Sequence, residues 1–208
     1  MPSDPHRIES LAELRRIIDD EPSPVARQKV FTALDDQMQA FVARAPFCLL
    51  ATADADGQLE VSPKGDGPGF VRVQDARTLL LPDRKGNKLL FGLQNILANP
   101  QVALIFLLPG TDETLRVSGR AELSVDPALL ERLSARGQPA LLAIRVRVER
   151  CFFHCARAFL RASLWNPASW PSPPHKVSFG RQLAPKLGGG DALAEQIDAA
   201  IDKGRSDL

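Results

Sequence analysis

The sequence predicts a mainly β fold of the α+β class, in which short strands form an antiparallel barrel flanked by helices. Short apolar or alternating segments recur between residues 47 and 148, and turns rather than long helices separate most of them. Only one helix of crossover length lies among these segments. A doubly wound parallel sheet, which needs such a helix after every strand, therefore fits the pattern less well.

Composition restricts the class of partner. The chain has 208 residues, of which 44% are hydrophobic and 25% charged, enough for one domain with a sizeable core. A net charge of +1 provides no global field for nucleic acid or an anionic membrane, so neither partner is expected and any anion site must be a local cluster. Three cysteines without disulfide spacing, and no apolar signal core, predict a cytoplasmic protein.

Two helices are predicted before the first strand. Apolar residues at helical spacing indicate a helix over 8–19, ended by prolines. A second helix is predicted over 25–44, just before Pro46. Its apolar stripe consists of Val30, Leu34, Met38, Phe41 and Val42.

Short strands are predicted along the chain from residue 47 to residue 148. Apolar runs or period-two alternation mark them, with turn signals at 54–57 and 65–69. They are Phe47–Ala53, a strand around Leu59 and Val61, another around Val71 and Val73, then Thr78–Leu81, Val102–Leu108, Leu115–Leu123 and Ile144–Val148.

Three further helices are predicted. One covers Asn87–Ala98, a short one starts at Asp126-Pro127 with Gly137 as its C-cap, and a last one covers about 191–202. We divide the single domain into a helical segment 1–45, a barrel 46–165, and a proline-rich loop with the final helix in 166–208.

The densest functional signal is the basic turn at residues 82–88, which follows an apolar strand and precedes the predicted mid-chain helix. Helix N-termini favour anions because of their free N–H groups and dipole. Arg84 can grip a phosphate bidentately, and Lys85 and Lys88 add positive charge. Gly86 permits close backbone approach, and Asn87 can cap the helix or donate to a phosphate. A solvated basic turn is the alternative.

A second signal is Ser62-Pro63-Lys64, at the end of a predicted hairpin strand. A proline within a strand indicates a sheet edge or a bulge. Lys64 and Ser62 can face a ligand, although a surface hairpin exit explains them equally well.

Several motifs in order resemble the pyridoxamine 5′-phosphate oxidase-related flavoproteins, and in particular their bacterial "probable FMN-dependent enzyme" subgroup. The resemblance covers about residues 25 to 170. The motifs are Ser62–Asp66, Gly69–Val71, Pro82–Asn87, Asn95–Pro100, Thr114–Ala121, Phe153–Cys155 and Arg161–Trp165.

The resemblance implies a Greek-key split barrel that binds flavin mononucleotide (FMN) and forms a homodimer, with the flavin at the interface. The phosphate turn of the family matches Asp83, Arg84, Lys85, Gly86, Asn87 and Lys88. Residues bordering the flavin ring match Ser62, Pro63 and Lys64. Arg116 and Ser118 match a strand that borders the cofactor from the partner subunit, and Arg161 and Trp165 match the segment closing over the ring.

The implied activity is that of an FMN-dependent oxidoreductase acting on an unidentified small molecule or electron donor. Vitamin B6 oxidation is not carried over, because the chain has no tyrosine and no match to the C-terminal substrate-phosphate residues of that enzyme. A flavin-storage module without turnover, and deazaflavin- or haem-utilising relatives, remain alternatives.

Cys151, His154 and Cys155 do not predict a metal site, since zinc needs more ligands than this segment supplies. A buried cysteine and a hydrogen-bonded histidine are the simpler interpretation.

Overall fold

The computed structural model of the protein describes residue 4 and residues 6–18 and 21–206. Two compact units divide the chain at Trp165 and Asn166. The strands of the first unit are β1 (Phe47–Ala53), β2 (Leu59–Gly65), β3 (Arg72–Asp75), β4 (Thr78–Asp83), β5 (Gln101–Leu107), β6 (Thr114–Ser124) and β7 (Leu142–His154). Its helices are α1 (Leu11–Ile17), α2 (Pro24–Gln28), α3 (Asp36–Arg44), α4 (Phe91–Ala98), α5 (Pro127–Arg132) and α6 (Arg157–Ala162).

The seven strands form one antiparallel sheet in the order β2-β1-β5-β6-β7-β4-β3. The predicted α+β fold with an antiparallel split barrel is confirmed. The two ends of the sheet are not hydrogen-bonded to each other as strands, so the barrel is open along one seam. Pro63 lies in β2, an edge strand, where the missing N–H interrupts no second ladder.

The core lies on the inner face of the curved sheet. Alternation in β1 buries Cys48, Leu50 and Thr52, while the intervening residues are half-exposed. Neighbouring strands add Leu104 and Phe106, each almost fully buried. Burying a side chain of this size stabilises the fold by about 1.5–3 kcal/mol relative to exposure.

The second predicted helix is divided in two. Between α2 and α3 the backbone of Phe31 pairs with Cys151 in β7, through N–H···O distances of 2.9 and 2.8 Å. Asp35 then caps α3 by accepting from the Met38 N–H at 2.8 Å. The single helix over 25–44 is therefore wrong, because strand pairing satisfies the Phe31 backbone and Asp35 starts a new helix. Val30 is 40% exposed and lies outside the apolar stripe.

Most other boundaries differ from the predictions by a turn or less, but β7 runs to His154, well beyond the predicted end at Val148. Helix α1 begins at Leu11 rather than Ile8, after the N-cap Ser10, and position 19 lies outside the described residues. Helix α5 ends at Arg132. Gly137 is not its C-cap, since it lies with Arg136 in a tight turn where both have positive φ.

Helix α4 begins at Phe91, not at Asn87. Lys88 and Leu90 adopt left-handed φ values of 63° and 60°. Because these values do not fit a right-handed helix, the helix starts only after Leu90. The basic turn is therefore an irregular loop that leads into the helix rather than its first turn.

The second unit contains α7 (Phe179–Leu183) and α8 (Asp191–Ser206), together with the short 3-10 helices Pro167–Ser169 and Pro185–Leu187. The predicted final helix extends beyond residue 202. Asp198 accepts hydrogen bonds from the Ser178 hydroxyl and the Gly180 N–H, which fastens the start of α7 to α8. These two bonds lower the pKa of the Asp198 carboxyl.

Candidate ligand-binding site in the barrel

A pocket of about 280 Å³ lies on the inner side of the sheet, between β2, the end of β4 and the start of α4. It brings together eight of the residues proposed from the sequence, namely Ser62, Lys64, Asp83, Arg84, Lys85, Gly86, Asn87 and Lys88. Its apolar wall includes Leu50, Leu93 and Phe91.

Alternation along β2 gives the pocket one polar wall. Glu60, Ser62 and Lys64 face inward and are half-buried, whereas Val61 and Pro63 are exposed on the other face. Gly92 brings α4 close to this wall, since a Cβ added there would lie 3.6 Å from the Ser62 Oγ. Glu60 was not proposed from the sequence, and only its two-residue spacing from Ser62 indicates its direction.

Two ion pairs close the seam of the barrel beside the pocket. Lys64 Nζ lies 2.7 Å from Asp83 Oδ1 and links β2 to β4, which are not neighbours in the sheet. Arg84 Nε lies 3.2 Å from Asp66 Oδ2, and Arg84 Nη2 donates to the Leu133 carbonyl at 2.7 Å. Much of the hydrogen-bonding capacity of Arg84 therefore holds the turn in place. Asp66 lies 18 residues from Arg84 in the chain, so no local pattern in the sequence indicates this role.

Lys85 and Lys88 differ from Arg84. Both side chains are exposed at the pocket, and neither forms an ion pair within the part of the chain that the structure describes. Asn87 accepts from the Leu89 N–H at 3.1 Å through its side-chain oxygen, which leaves its amide N–H groups to donate.

The start of α4 lines the same pocket and has no side-chain cap. Uncapped first-turn N–H groups carry partial positive charge and bind anions. Together with the two lysines they form a cradle that suits a phosphate group.

The remaining proposed residues lie outside this pocket. Pro63 lines an adjoining cavity of about 210 Å³. Arg116 and Ser118 lie in β6 on the outer face of the sheet, where Arg116 pairs with Ile105 in β5. Arg161 is exposed on α6. Trp165 Nε1 donates to the Thr111 carbonyl at 2.9 Å, and its ring lies 5.8 Å from the Phe159 ring.

Two of the three cysteines, Cys48 and Cys151, are buried and poorly suited to act as nucleophiles. Burial raises the pKa of the Cys48 thiol to about 12, with Lys64 opposing the shift, and burial also raises the pKa of Cys151. Within the described residues, no group of three or more histidine, cysteine or acidic side chains is placed to hold a metal ion. No helix in that part of the chain is long and apolar enough to cross a membrane.

The geometry is that of an open antiparallel barrel with a cationic turn and an uncapped helix start at its seam. The chain belongs to the pyridoxamine 5′-phosphate oxidase family, whose sequence profile matches residues 34–155. This match covers more than half of the chain and confirms the family predicted from the ordered motifs. No curated protein sequence matches the chain significantly.

Solved structures with a similar fold come from several proteins. The HupZ protein of Group A Streptococcus is 21% identical with a TM-score of 0.48, and the match covers 58% of this chain and 93% of that one. An FMN-binding protein from Syntrophomonas wolfei is 11% identical with a TM-score of 0.44, covering 56% and 83%. An F420 reductase is 23% identical with a TM-score of 0.40, covering 54% and 94%.

Proposed function

We propose that this protein binds FMN in the barrel pocket and works as an FMN-dependent oxidoreductase on a small molecule. One observation carries the proposal. The pocket gathers Lys85, Lys88 and the uncapped start of α4 at one place, as a terminal phosphate requires.

The polar residues of the pocket have two roles: some hold the basic turn in place, and others bind the ligand. Arg84 and Lys64 are fastened to Asp66 and Asp83, so they keep the phosphate turn against β2. Lys85, Lys88 and the Asn87 amide then bind the phosphate, and Ser62 donates to the ligand from the strand wall. Bound FMN supplies the redox chemistry, and the protein supplies orientation and electrostatics.

A second subunit completes the proposed site. The pocket of one protomer, about 280 Å³, is slightly smaller than the roughly 300–1,000 Å³ of typical cofactor sites. In a single protomer the outer face of β2 exposes Leu59 and Val61, at 78% and 54%. Exposed apolar residues of this kind are expected where a second subunit covers the surface. We propose a homodimer in which Arg116 and Ser118 reach the flavin site of the partner. Pro63 borders the ring beside Ser62 and Lys64, and Arg161 and Trp165 belong to the segment that closes over the ring.

Three alternatives share the phosphate cradle: flavin storage without turnover, a deazaflavin cofactor, and haem. Mass spectrometry of the released ligand separates the cofactors. Flavin-dependent oxidation of a nicotinamide donor separates an enzyme from a storage protein.

All three cysteines are free thiols, which supports the proposed cytoplasmic location.

The decisive test is the Lys85→Ala, Lys88→Ala double variant. We expect FMN affinity to fall by about 1–3 kcal/mol, or roughly 5- to 150-fold, because charge-assisted contacts to the phosphate are lost. Riboflavin, which lacks the phosphate, should bind equally to both proteins. Fluorescence titration measures both ligands, and Lys186→Ala, an exposed lysine in the second unit, is the matched control. Unchanged FMN affinity would refute the phosphate assignment.

A further inference from the structure

A cationic cluster lies on the outer face of β6 and β7, away from the pocket. We call it the Phe152 cluster, and it consists of Lys29, Arg116, Arg150, Phe152 and His154. None of these residues lines the FMN pocket of the protomer.

Strand register builds the cluster. Arg116 in β6 pairs directly with Phe152 in β7. Arg150 and His154 lie two residues either side of Phe152, so all three side chains share one face of the strand. Lys29 comes from the segment whose Phe31 pairs with Cys151 along the other side of β7.

The side chains converge on the Phe152 ring. Lys29 Nζ and the Arg150 guanidinium carbon each lie 5.2 Å from the ring centroid, within cation–π range. The His154 ring packs edge-on to Phe152 at 6.5 Å. Three cationic side chains and an imidazole are thus held within a small area.

The cluster lacks a counter-charge. Within the described residues, neither Lys29, Arg116 nor Arg150 has a carboxylate within 4.0 Å. Arg145, also in β7, shows the usual arrangement, with Glu122 at 2.6 Å. Concentrated positive charge without a partner disfavours the folded state unless an anion neutralises it.

Two polar atoms of the cluster are shielded from solvent and unpaired. Arg116 Nε and His154 Nδ1 have no hydrogen-bond partner among the residues that the structure describes. Buried polar atoms in proteins are nearly always hydrogen-bonded. A guanidinium can only donate, so the group that completes Arg116 must be an acceptor.

We propose that the Phe152 cluster is a binding site for an oxyanion, either phosphate or carboxylate, carried by a small-molecule ligand. Arg116 and Arg150 supply directed N–H donors, Lys29 adds charge, and His154 donates once the anion offsets its neighbours. Without an anion, burial and the charges of Arg116 and Lys29 lower the pKa of His154.

The oxyanion belongs to an anionic substrate rather than to the cofactor, because the FMN phosphate is assigned to Lys85, Lys88 and the start of α4. This distinction rests on the proposed function, whereas the charge and geometry of the cluster do not.

The test uses inorganic phosphate as the probe, on the full-length wild-type protein at low ionic strength. The ¹H–¹⁵N imidazole signals of His154 report binding. We expect a saturable shift in the millimolar range. Binding should weaken at least tenfold in Arg116→Gln and in Arg150→Gln, and remain unchanged in Arg147→Gln, an exposed arginine of the same strand.

Preloading the protein with a flavin tests whether the cluster is separate from the flavin site. If FMN abolishes phosphate binding and riboflavin does not, the cluster is part of the cofactor phosphate site, which overturns the proposal of a substrate site. If phosphate binds equally to FMN-loaded protein, the cluster serves a separate anionic substrate. Phosphate binding in a protein that does not bind FMN would refute the proposed function but not this site. The absence of a saturable wild-type shift, or equal affinity in all three variants, overturns the site.

Discussion

At the scale of single residues, the structure changes the role of the arginine that the sequence offers as the main phosphate ligand. Arg84 is held by Asp66 and by the Leu133 carbonyl, so it joins the loop after β2, the turn after β4 and the end of α5. Lys85 and Lys88 take over the proposed contact with the ligand because their charges remain unpaired in the described part of the chain. Neighbouring residues of one basic turn thus have different roles.

Asp66→Asn tests the fastening role of Arg84. The Asp66 side chain is 13% exposed and Arg84 is 30% exposed, so removing the carboxylate charge leaves a partly buried guanidinium without its ion pair. We expect the free energy of unfolding to fall by about 1–2 kcal/mol. Urea denaturation measures it. Asp56→Asn, in the exposed β1–β2 turn, should leave the midpoint unchanged, and an equally stable Asp66 variant would contradict the assignment.

At the scale of elements, irregularities position the candidate sites. Left-handed Lys88 and Leu90 delay the start of α4, so its free N–H groups face the pocket instead of being consumed within the basic turn. A bulge between Ser118 and Gly119 shifts the register of β6 against β7. The β6 residues on one side of this bulge, from Thr114 to Ser118, pair with the β7 segment from Arg150 to His154. That β7 segment carries three members of the Phe152 cluster.

Gly119→Ala should be strongly destabilising. A Cβ at this position would lie 1.9 Å from the Arg147 carbonyl oxygen, so the β6 and β7 backbones must separate. We expect a loss of about 3 kcal/mol or more, at the upper end of overpacking effects. Gly67→Ala is the control, because a Cβ there meets nothing within 4 Å. Thermal unfolding compares them, and similar melting temperatures would show that the strands separate without cost.

At the scale of the whole molecule, the two proposed sites lie on opposite faces of one sheet. The pocket occupies the inner side near the seam, and the Phe152 cluster occupies the outer face of β6 and β7. Between that cluster and the edge strand, the outer face carries Ile105, Leu49 and Pro63 in register with Arg116. An apolar strip of this kind is a suitable surface for a second copy of the chain, with the cations of the Phe152 cluster at its border.

Val61→Glu tests whether this outer face forms the proposed dimer. The glutamate charge would lose its hydration in an apolar interface and find no opposite charge there. We therefore expect the dimer of this variant to dissociate. We expect sedimentation velocity to show monomer, together with FMN affinity at least tenfold weaker. Val125→Glu, at 72% exposure in the loop after β6, is the control. A monomeric variant that retains full FMN affinity would show that each protomer holds the cofactor alone.

The sequence by itself determined the fold class, the family and most strands, because period-two alternation and turn residues are local signals read along one segment. It also determined that residues 83–88 and 62–64 matter together, through the order of their motifs. Only the tertiary structure decided which cations remain available. Asp83 and Asp66 lie 19 and 18 residues from the cations they neutralise, and the curvature of the sheet brings them together across the seam. The split of the second helix at Phe31 and the contact of Lys29 with the Phe152 ring likewise depend on partners more than 100 residues away.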